Sequence, residues 1–147
     1  MAQELPHNGY VLGLDVGEKR IGAAIASVIA KLPQPVYPIA ADDNPAEAIS
    51  QLIEKEDIQI VVIGIPRNLD GEETAQSRQI RDFAANLATK ISTPIAFADE
   101  SLSSTRADEL GKSNTFKNVS QDSLAACFIL EEFLGTMEHV IRENDGN

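Results

Sequence analysis

Residues that form disulfides, bind metals through imidazole or cross membranes are scarce in this sequence of 147 residues. Its single cysteine, Cys127, cannot form an internal disulfide, which favours a small core residue and a reducing, cytoplasmic location. The two histidines, His7 and His139, lie in a polar leading segment and near an acidic end, so imidazole chemistry is not expected. No apolar run approaches the roughly 18 residues of a membrane span, and no signal-peptide pattern is present. We therefore expect neither membrane association nor export.

Positive charge is also scarce, and the formal net charge of −11 counts against a nucleic-acid partner. Most of that charge is concentrated in two segments, residues 42–57 with a net charge of −5 and residues 131–147 with −4. The rest of the chain carries only −2 and has ten basic residues, among them Lys19, Arg20, Arg67, Arg78, Arg81, Arg106, Lys112 and Lys117. Because the local field decides whether a phosphate can approach, a nucleic-acid substrate remains compatible with this composition.

The hydropathy pattern predicts three strands, then a helix, a strand, a helix, a strand and two further helices. The predicted strands are 10–14, 21–27, an irregular proline-containing edge strand within 28–41, 58–65 and 94–98. The predicted helices begin at residue 45 with Asp43 or Asn44 as cap, and cover about 74–90, 105–111 and the region after Ser120. This order indicates an α/β fold with a mixed five-stranded sheet and helices on both faces. We expect one domain over residues 1–147, with an acidic C-terminal tail.

Three carboxylates stand where apolar segments meet loops: Asp15, Glu100 and Asp122. A carboxylate at the edge of a buried element loses hydration, and three in one domain are best stabilised by a divalent cation. Asp99 precedes Glu100, but successive strand side chains point to opposite faces, so we select Glu100. The pattern indicates metal-assisted phosphodiester chemistry.

Each carboxylate also has an ordinary structural explanation. Asp15 is placed to accept hydrogen bonds from turn amides, and Gly17 after it to adopt a positive φ. Glu100 fits a solvated strand end, and Asp122 fits the first turn of a helix, where the helix dipole favours an acid. The chemical interpretation therefore depends on the three acids acting together at one edge of the sheet.

Four segments in this order resemble the motifs of the YqgF family of pre-16S rRNA nucleases, also described as Holliday-junction-resolvase-like. They are Leu-Gly-Leu-Asp-Val-Gly-Glu-Lys-Arg-Ile-Gly-Ala-Ala-Ile at 12–25, Val-Ile-Gly-Ile-Pro-Arg-Asn-Leu-Asp-Gly at 62–71, Asp-Glu-Ser-Leu-Ser-Ser at 99–104 and Asp-Ser-Leu-Ala-Ala-Cys-Phe-Ile-Leu at 122–130. The resemblance covers about residues 10–134. One departure is Ser101, where the family usually has arginine; Arg106 is placed to substitute for that cation.

The resemblance implies an RNase H-like fold and a metal-dependent endonuclease acting in maturation of the 5′ end of pre-16S rRNA. It implies that Asp15, Glu100 and Asp122 are the catalytic acids and the ligands of Mg²⁺ or Mn²⁺. Substrate contacts are then expected from Lys19, Arg20, Arg67, Asn68 and Arg106, with solvated surface charge as the alternative for the basic residues.

Other functions fit parts of the same pattern. A Holliday junction resolvase would use the same acids on branched DNA, and the sequence does not separate RNA from DNA or fix the oligomeric state. A sugar-kinase or actin-like ATPase also begins with Leu-Asp-x-Gly but needs two such domains, more than this length supplies. A non-catalytic nucleic-acid- or protein-binding module on the same fold is the non-enzymatic alternative.

Overall fold

The computed structural model describes residues 8–42, 44–66, 74–99 and 121–145, with the backbone alone described for residues 99, 121–122 and 136–145. Its strands are β1 (Tyr10–Val16), β2 (Arg20–Ser27), β3 (Gln34–Ala40), β4 (Ile58–Ile65) and β5 (Ile95–Asp99). Its helices are α1 (Pro45–Glu56), α2 (Ala75–Ala88) and α3 (Gln121–Asp145).

The five strands form one mixed sheet in the order β3-β2-β1-β4-β5. The hairpin strands β1, β2 and β3 pair antiparallel, whereas β1, β4 and β5 run parallel. The interior strand β4 is rich in β-branched residues and almost completely buried along its length, as expected for a strand that is covered on both faces. The predicted edge position of the proline-rich β3 is confirmed, because an edge strand tolerates missing amide donors.

Helices α1 and α2 cover one face of the sheet. Their buried residues Ile49, Ile80 and Leu87 pack with Leu12 and Leu14 of β1 and with residues of β2 and β4. The apolar residues of both helices recur at the spacing of one helix face.

Helix α3 covers the opposite face. Ala126, Ile129, Leu130 and Leu134 pack there against alternate residues of the strands, including Val11 of β1. The predicted α/β architecture, with a mixed five-stranded sheet between helices, is confirmed. No helix in the described part of the chain is long and apolar enough to cross a membrane.

Helices α1 and α2 differ in how their first turns are capped. Asn44 occupies the N-cap of α1, but its backbone is left-handed (φ 50°) and its side chain accepts no helix amide; Nδ2 instead donates to Glu47 Oε2 at 3.1 Å. The predicted helix start, with Asn44 at the N-cap, is confirmed, although the Asn44 side chain does not supply the cap; Asp43 lies outside the described residues. Thr74 caps α2 through a reciprocal pair with Ser77. The predicted helix at 105–111 and the Ser120 cap also lie outside the described residues.

Candidate active site

Asp15 lies at the carboxyl end of β1, on the face of the sheet that α3 covers. It is directly opposite Gly22 of β2, and its side chain is half-buried. Strand alternation places it with Val11 and Gly13, which contact the α3 side, and not with Leu12 and Leu14. A carboxylate here is partly shielded from water and faces the region where α3 crosses the sheet.

The turn after Asp15 does not use its carboxylate. The turn is closed by the Gly17 amide, which donates to the Arg20 carbonyl oxygen at 3.1 Å. Among the described residues, no donor to the Asp15 side chain is found, so the turn-capping explanation is not supported there.

Gly17 is needed for a different reason from the positive φ proposed for it. Of the described glycines, Gly9 has a positive φ and Gly17 does not. A Cβ at Gly17 would lie 2.6 Å from the Arg20 carbonyl oxygen, which is closer than real Cβ contacts allow. The glycine therefore permits the tight return of the chain from β1 to β2 beside Asp15.

The start of α3 is joined to the sheet beside this site by a partly buried hydrogen bond. The Ser123 hydroxyl donates to the Val36 carbonyl oxygen on β3 at 2.7 Å, and Ser123 is 1% exposed. Asp122 is the preceding residue, in the first turn of α3. Its side chain lies outside the described part, but its backbone is on the same sheet face as Asp15.

The third predicted acid, Glu100, lies just beyond the described end of β5. That strand ends at Asp99, which pairs with Ile65 of β4. Ala96 and Ala98 pack on the α3 side, so alternate residues of β5 occupy the same sheet face as Asp15. The described part of the chain contains no group of three His, Cys, Asp or Glu residues able to hold a metal, and the predicted three-acid set remains a prediction.

Two predicted substrate-binding residues, Lys19 and Arg20, are exposed in the turn that follows Asp15 and at the start of β2. The Lys19 carbonyl oxygen accepts a hydrogen bond from the Ala41 amide at 3.0 Å, which joins this turn to the end of β3. Positive charge is therefore present at the Asp15 end of the sheet. Arg67, Asn68 and Arg106 lie outside the described residues.

Cys127 is confirmed as a half-buried residue packed against the α3-side core. Burial, with a smaller contribution from the Glu131 charge, raises the pKa of its thiol to about 12. Because the thiolate is the nucleophilic form, this thiol is poorly suited to nucleophilic catalysis.

Residues 9–136 match the model of the family RuvX, Holliday junction resolvase. This chain belongs to the RuvX family. It is 37% identical over 134 residues to the "Putative pre-16S rRNA nuclease" of Orientia tsutsugamushi (strain Ikeda), a match that covers 88% of this chain and 85% of the relative. The relative of the same name from Maridesulfovibrio salexigens is 39% identical over 130 residues, covering 84% and 96%. The RuvX chain is accordingly a nuclease.

Solved structures support the fold. The structure of T. thermophilus RuvC in complex with a Holliday junction substrate aligns with a TM-score of 0.56 at 10% identity, covering 88% of this chain and 96% of RuvC. The fowlpox virus Holliday junction resolvase aligns with a TM-score of 0.52 at 12% identity, covering 89% and 99%. The RuvX chain therefore shares the RNase H-like fold of these resolvases.

Two residues that shape this site were not identified from the sequence: Gly13 and Ser123. A glycine between two buried leucines in a strand is a recognisable sign of close backbone packing. The partner of Ser123, Val36, is distant in sequence, so no local pattern pointed to it.

Proposed function

We propose that this RuvX protein is a divalent-metal-dependent endonuclease that hydrolyses phosphodiester bonds in precursor 16S rRNA. The observation that carries the proposal is the position of Asp15, half-buried without a described donor, on the sheet face to which α3 is fixed. The relatives named as pre-16S rRNA nucleases match most of the chain, which supports this substrate over other phosphodiesters.

Asp15, Glu100 and Asp122 are the proposed ligands of Mg²⁺ or Mn²⁺ and the catalytic acids. Asp15 supplies a carboxylate from the end of β1, and Asp122 supplies a second from the first turn of α3. The packing of Ala96 and Ala98 on the α3 side supports Glu100 as the third, because Glu100 follows them in the sequence at the same two-residue spacing. When bound, the metal polarises the scissile phosphate and lowers the pKa of the attacking water.

The basic and polar residues around the acids are proposed to hold the substrate backbone. Lys19 and Arg20 extend from the turn beside Asp15, where an approaching phosphate passes through their field. Arg67, Asn68 and Arg106 are assigned the same role from their places in the family motifs.

A four-way DNA junction is the second candidate substrate. It is favoured by the description of the family that matches residues 9–136, Holliday junction resolvase. Junction cleavage needs the same acids, so the two substrates are separated only by measuring both.

The decisive experiment incubates the purified protein with end-labelled precursor 16S rRNA and, in parallel, with a labelled four-way DNA junction. Each substrate is tested with Mg²⁺, with Mn²⁺ and with EDTA. We expect metal-dependent cuts in the rRNA precursor and slower or no cutting of the junction.

Cleavage of the junction alone would make the four-way DNA junction, and not precursor 16S rRNA, the preferred substrate. Binding without cleavage of either substrate, in the presence of both metals, would contradict the nuclease proposal and favour the non-catalytic binding module. Asp82→Asn, a change of an exposed acid on α2, is the control for loss of charge.

A further inference from the structure

The most exposed large hydrophobic residue in the described part of the chain is an aromatic one near the Asp15 end of the sheet. Tyr37 of β3 is 92% exposed, compared with 39% for Tyr10 and 42% for Phe97. Tyrosine usually buries most of its ring when no partner is present. Such a projecting ring on an edge strand is available to a ligand.

The sheet places Tyr37 level with Asp15. Ile21 pairs with Ile39 and Ala23 pairs with Val36, so β3 has one extra residue in this interval. Tyr37 and Pro38 therefore both lie opposite Gly22, which is the pairing partner of Asp15. Since neighbouring strands are ~4.8 Å apart, the backbones of Tyr37 and Asp15 are about 10 Å apart along the row.

The backbone next to Tyr37 is held firmly. The Val36 carbonyl oxygen accepts the 2.7 Å hydrogen bond from the buried Ser123 hydroxyl of α3. A bulge redirects side chains from the regular strand pattern, and bulges are enriched next to active sites. The ring is thus presented by a backbone that is fixed to the same helix that carries Asp122.

Protection of the sheet edge against pairing with another strand does not explain why the Tyr37 ring is exposed. Pro35 and Pro38, together with the bulge, already disrupt the row of donors that another strand would pair with. A charged side chain at residue 37 would add to that protection, whereas an exposed tyrosine opposes it.

We infer that Tyr37 is a substrate-stacking residue, which holds an unpaired nucleobase of the substrate beside the scissile phosphate. This inference rests on the proposed function, because it takes the strand cut at Asp15 as the source of that base. Aromatic rings stack on bases of any sequence, and each stacked base contributes a substantial part of single-strand affinity. The exposed Lys19 and the Arg20 side chain lie at the same end of the sheet and favour a polyanion over an apolar protein partner.

The chain supplies its own reporter for this contact. It contains no tryptophan and two tyrosines, Tyr10 and Tyr37. In a Tyr10→Phe variant all tyrosine emission comes from Tyr37, and stacking on a base quenches that emission. We would titrate this variant with unlabelled oligouridylate in EDTA, so that no cleavage is required.

The matched control is Tyr37→Phe, in which Tyr10 is the reporter and corrects for light absorbed by the oligonucleotide. Binding is followed separately by the anisotropy of dye-labelled oligouridylate. We expect saturable quenching of Tyr37 at the concentrations where anisotropy rises, and no quenching of Tyr10 beyond the correction. Unchanged Tyr37 emission with bound oligonucleotide, or no binding at all, would overturn the inference.

Affinity gives a second, independent readout. Tyr37→Ala should weaken oligouridylate binding about fivefold or more, the equivalent of ~1 kcal/mol for one stacked base. Tyr37→Phe should retain affinity close to wild type because the ring is kept. The salt dependence should be the same in both variants, whereas Lys19→Ala should make it shallower.

The two proposals fail in different ways. Quenching and ring-dependent binding without any metal-dependent cleavage would contradict the nuclease function and leave the stacking contact standing. Cleavage with normal binding by Tyr37→Ala would refute the stacking contact and leave the nuclease function standing. In that case we would infer that this sheet edge binds a protein partner, because Ile29 and Leu32 are also exposed near the other end of β3.

Discussion

Gly13 of β1 and Leu130 of α3 are packed so closely that no side chain fits at residue 13. A Cβ there would lie 2.5 Å from Leu130 Cγ and 3.1 Å from the Ala126 carbonyl oxygen. This contact sets how near α3 lies to β1, two residues before Asp15. The spacing of the helix and the strand that carry two of the proposed acids thus depends on a hydrogen atom at residue 13.

Gly13→Ala should destabilise the fold by about 1–3 kcal/mol, because the added methyl group forces the helix or the Leu130 side chain to move. Urea denaturation measures this loss. The control is Gly135→Ala on α3, where a Cβ would meet nothing within 4 Å; it should raise stability by about 0.5–1 kcal/mol. Equal effects of the two changes would show that an added Cβ at residue 13 causes no steric strain.

Ser123→Ala should cost about 1–3 kcal/mol, since it leaves the partly buried Val36 carbonyl oxygen without its donor. Its comparison is Ser27→Ala, whose hydroxyl accepts only from the exposed amides of Ile29 and Ala30. That change should cost less than about 0.5 kcal/mol. The urea midpoints of the two variants would coincide if Ser123 did not fix α3 to β3.

Asp15→Asn should abolish metal-dependent cleavage and leave the far-ultraviolet circular dichroism unchanged, because the amide has the same shape without the charge. Thermal melts with Mn²⁺ and with EDTA test the metal site directly. Saturation at about 100 times the dissociation constant stabilises the native state by about 2.7 kcal/mol, so the wild-type Tm should rise. Asp82→Asn should keep this rise, and a full rise in Asp15→Asn would remove Asp15 from the ligand set.

Alkaline pH should destabilise the fold partly through Cys127. Burial raises the pKa of this thiol from its ordinary 9.0 to about 12. A raised pKa in the folded state means that its stabilising contribution is complete below pH 9 and is lost as the pH rises towards about 12. Urea midpoints should therefore fall more steeply above pH 9 in wild type than in Cys127→Ser, whose hydroxyl does not titrate in this range. Parallel curves would contradict this shift.

The strands and the two-sided core were predictable because they depend on local composition. The apolar β-branched segment Ile58–Ile65 was predicted as a strand, and the segment at about 74–90 as a helix, and the structure shows both. Asn44 is the N-cap of α1 as predicted, but its left-handed backbone and the lack of a side-chain bond to a helix amide are details that local preference does not reveal. The role of Gly17 was also misjudged, since it depends on the return path of β2.

By itself, the sequence determined which segments are strands and helices, and it supplied the acids that indicate metal-assisted chemistry. The tertiary structure decided that Asp15, Gly22 and Tyr37 share one row of the sheet, and that Ser123 joins α3 to β3 across 87 residues of sequence. Local side-chain preferences fix the type of each element because they act over a few residues. Strand register and helix docking depend on contacts between distant segments, which form only when the complete sheet is packed.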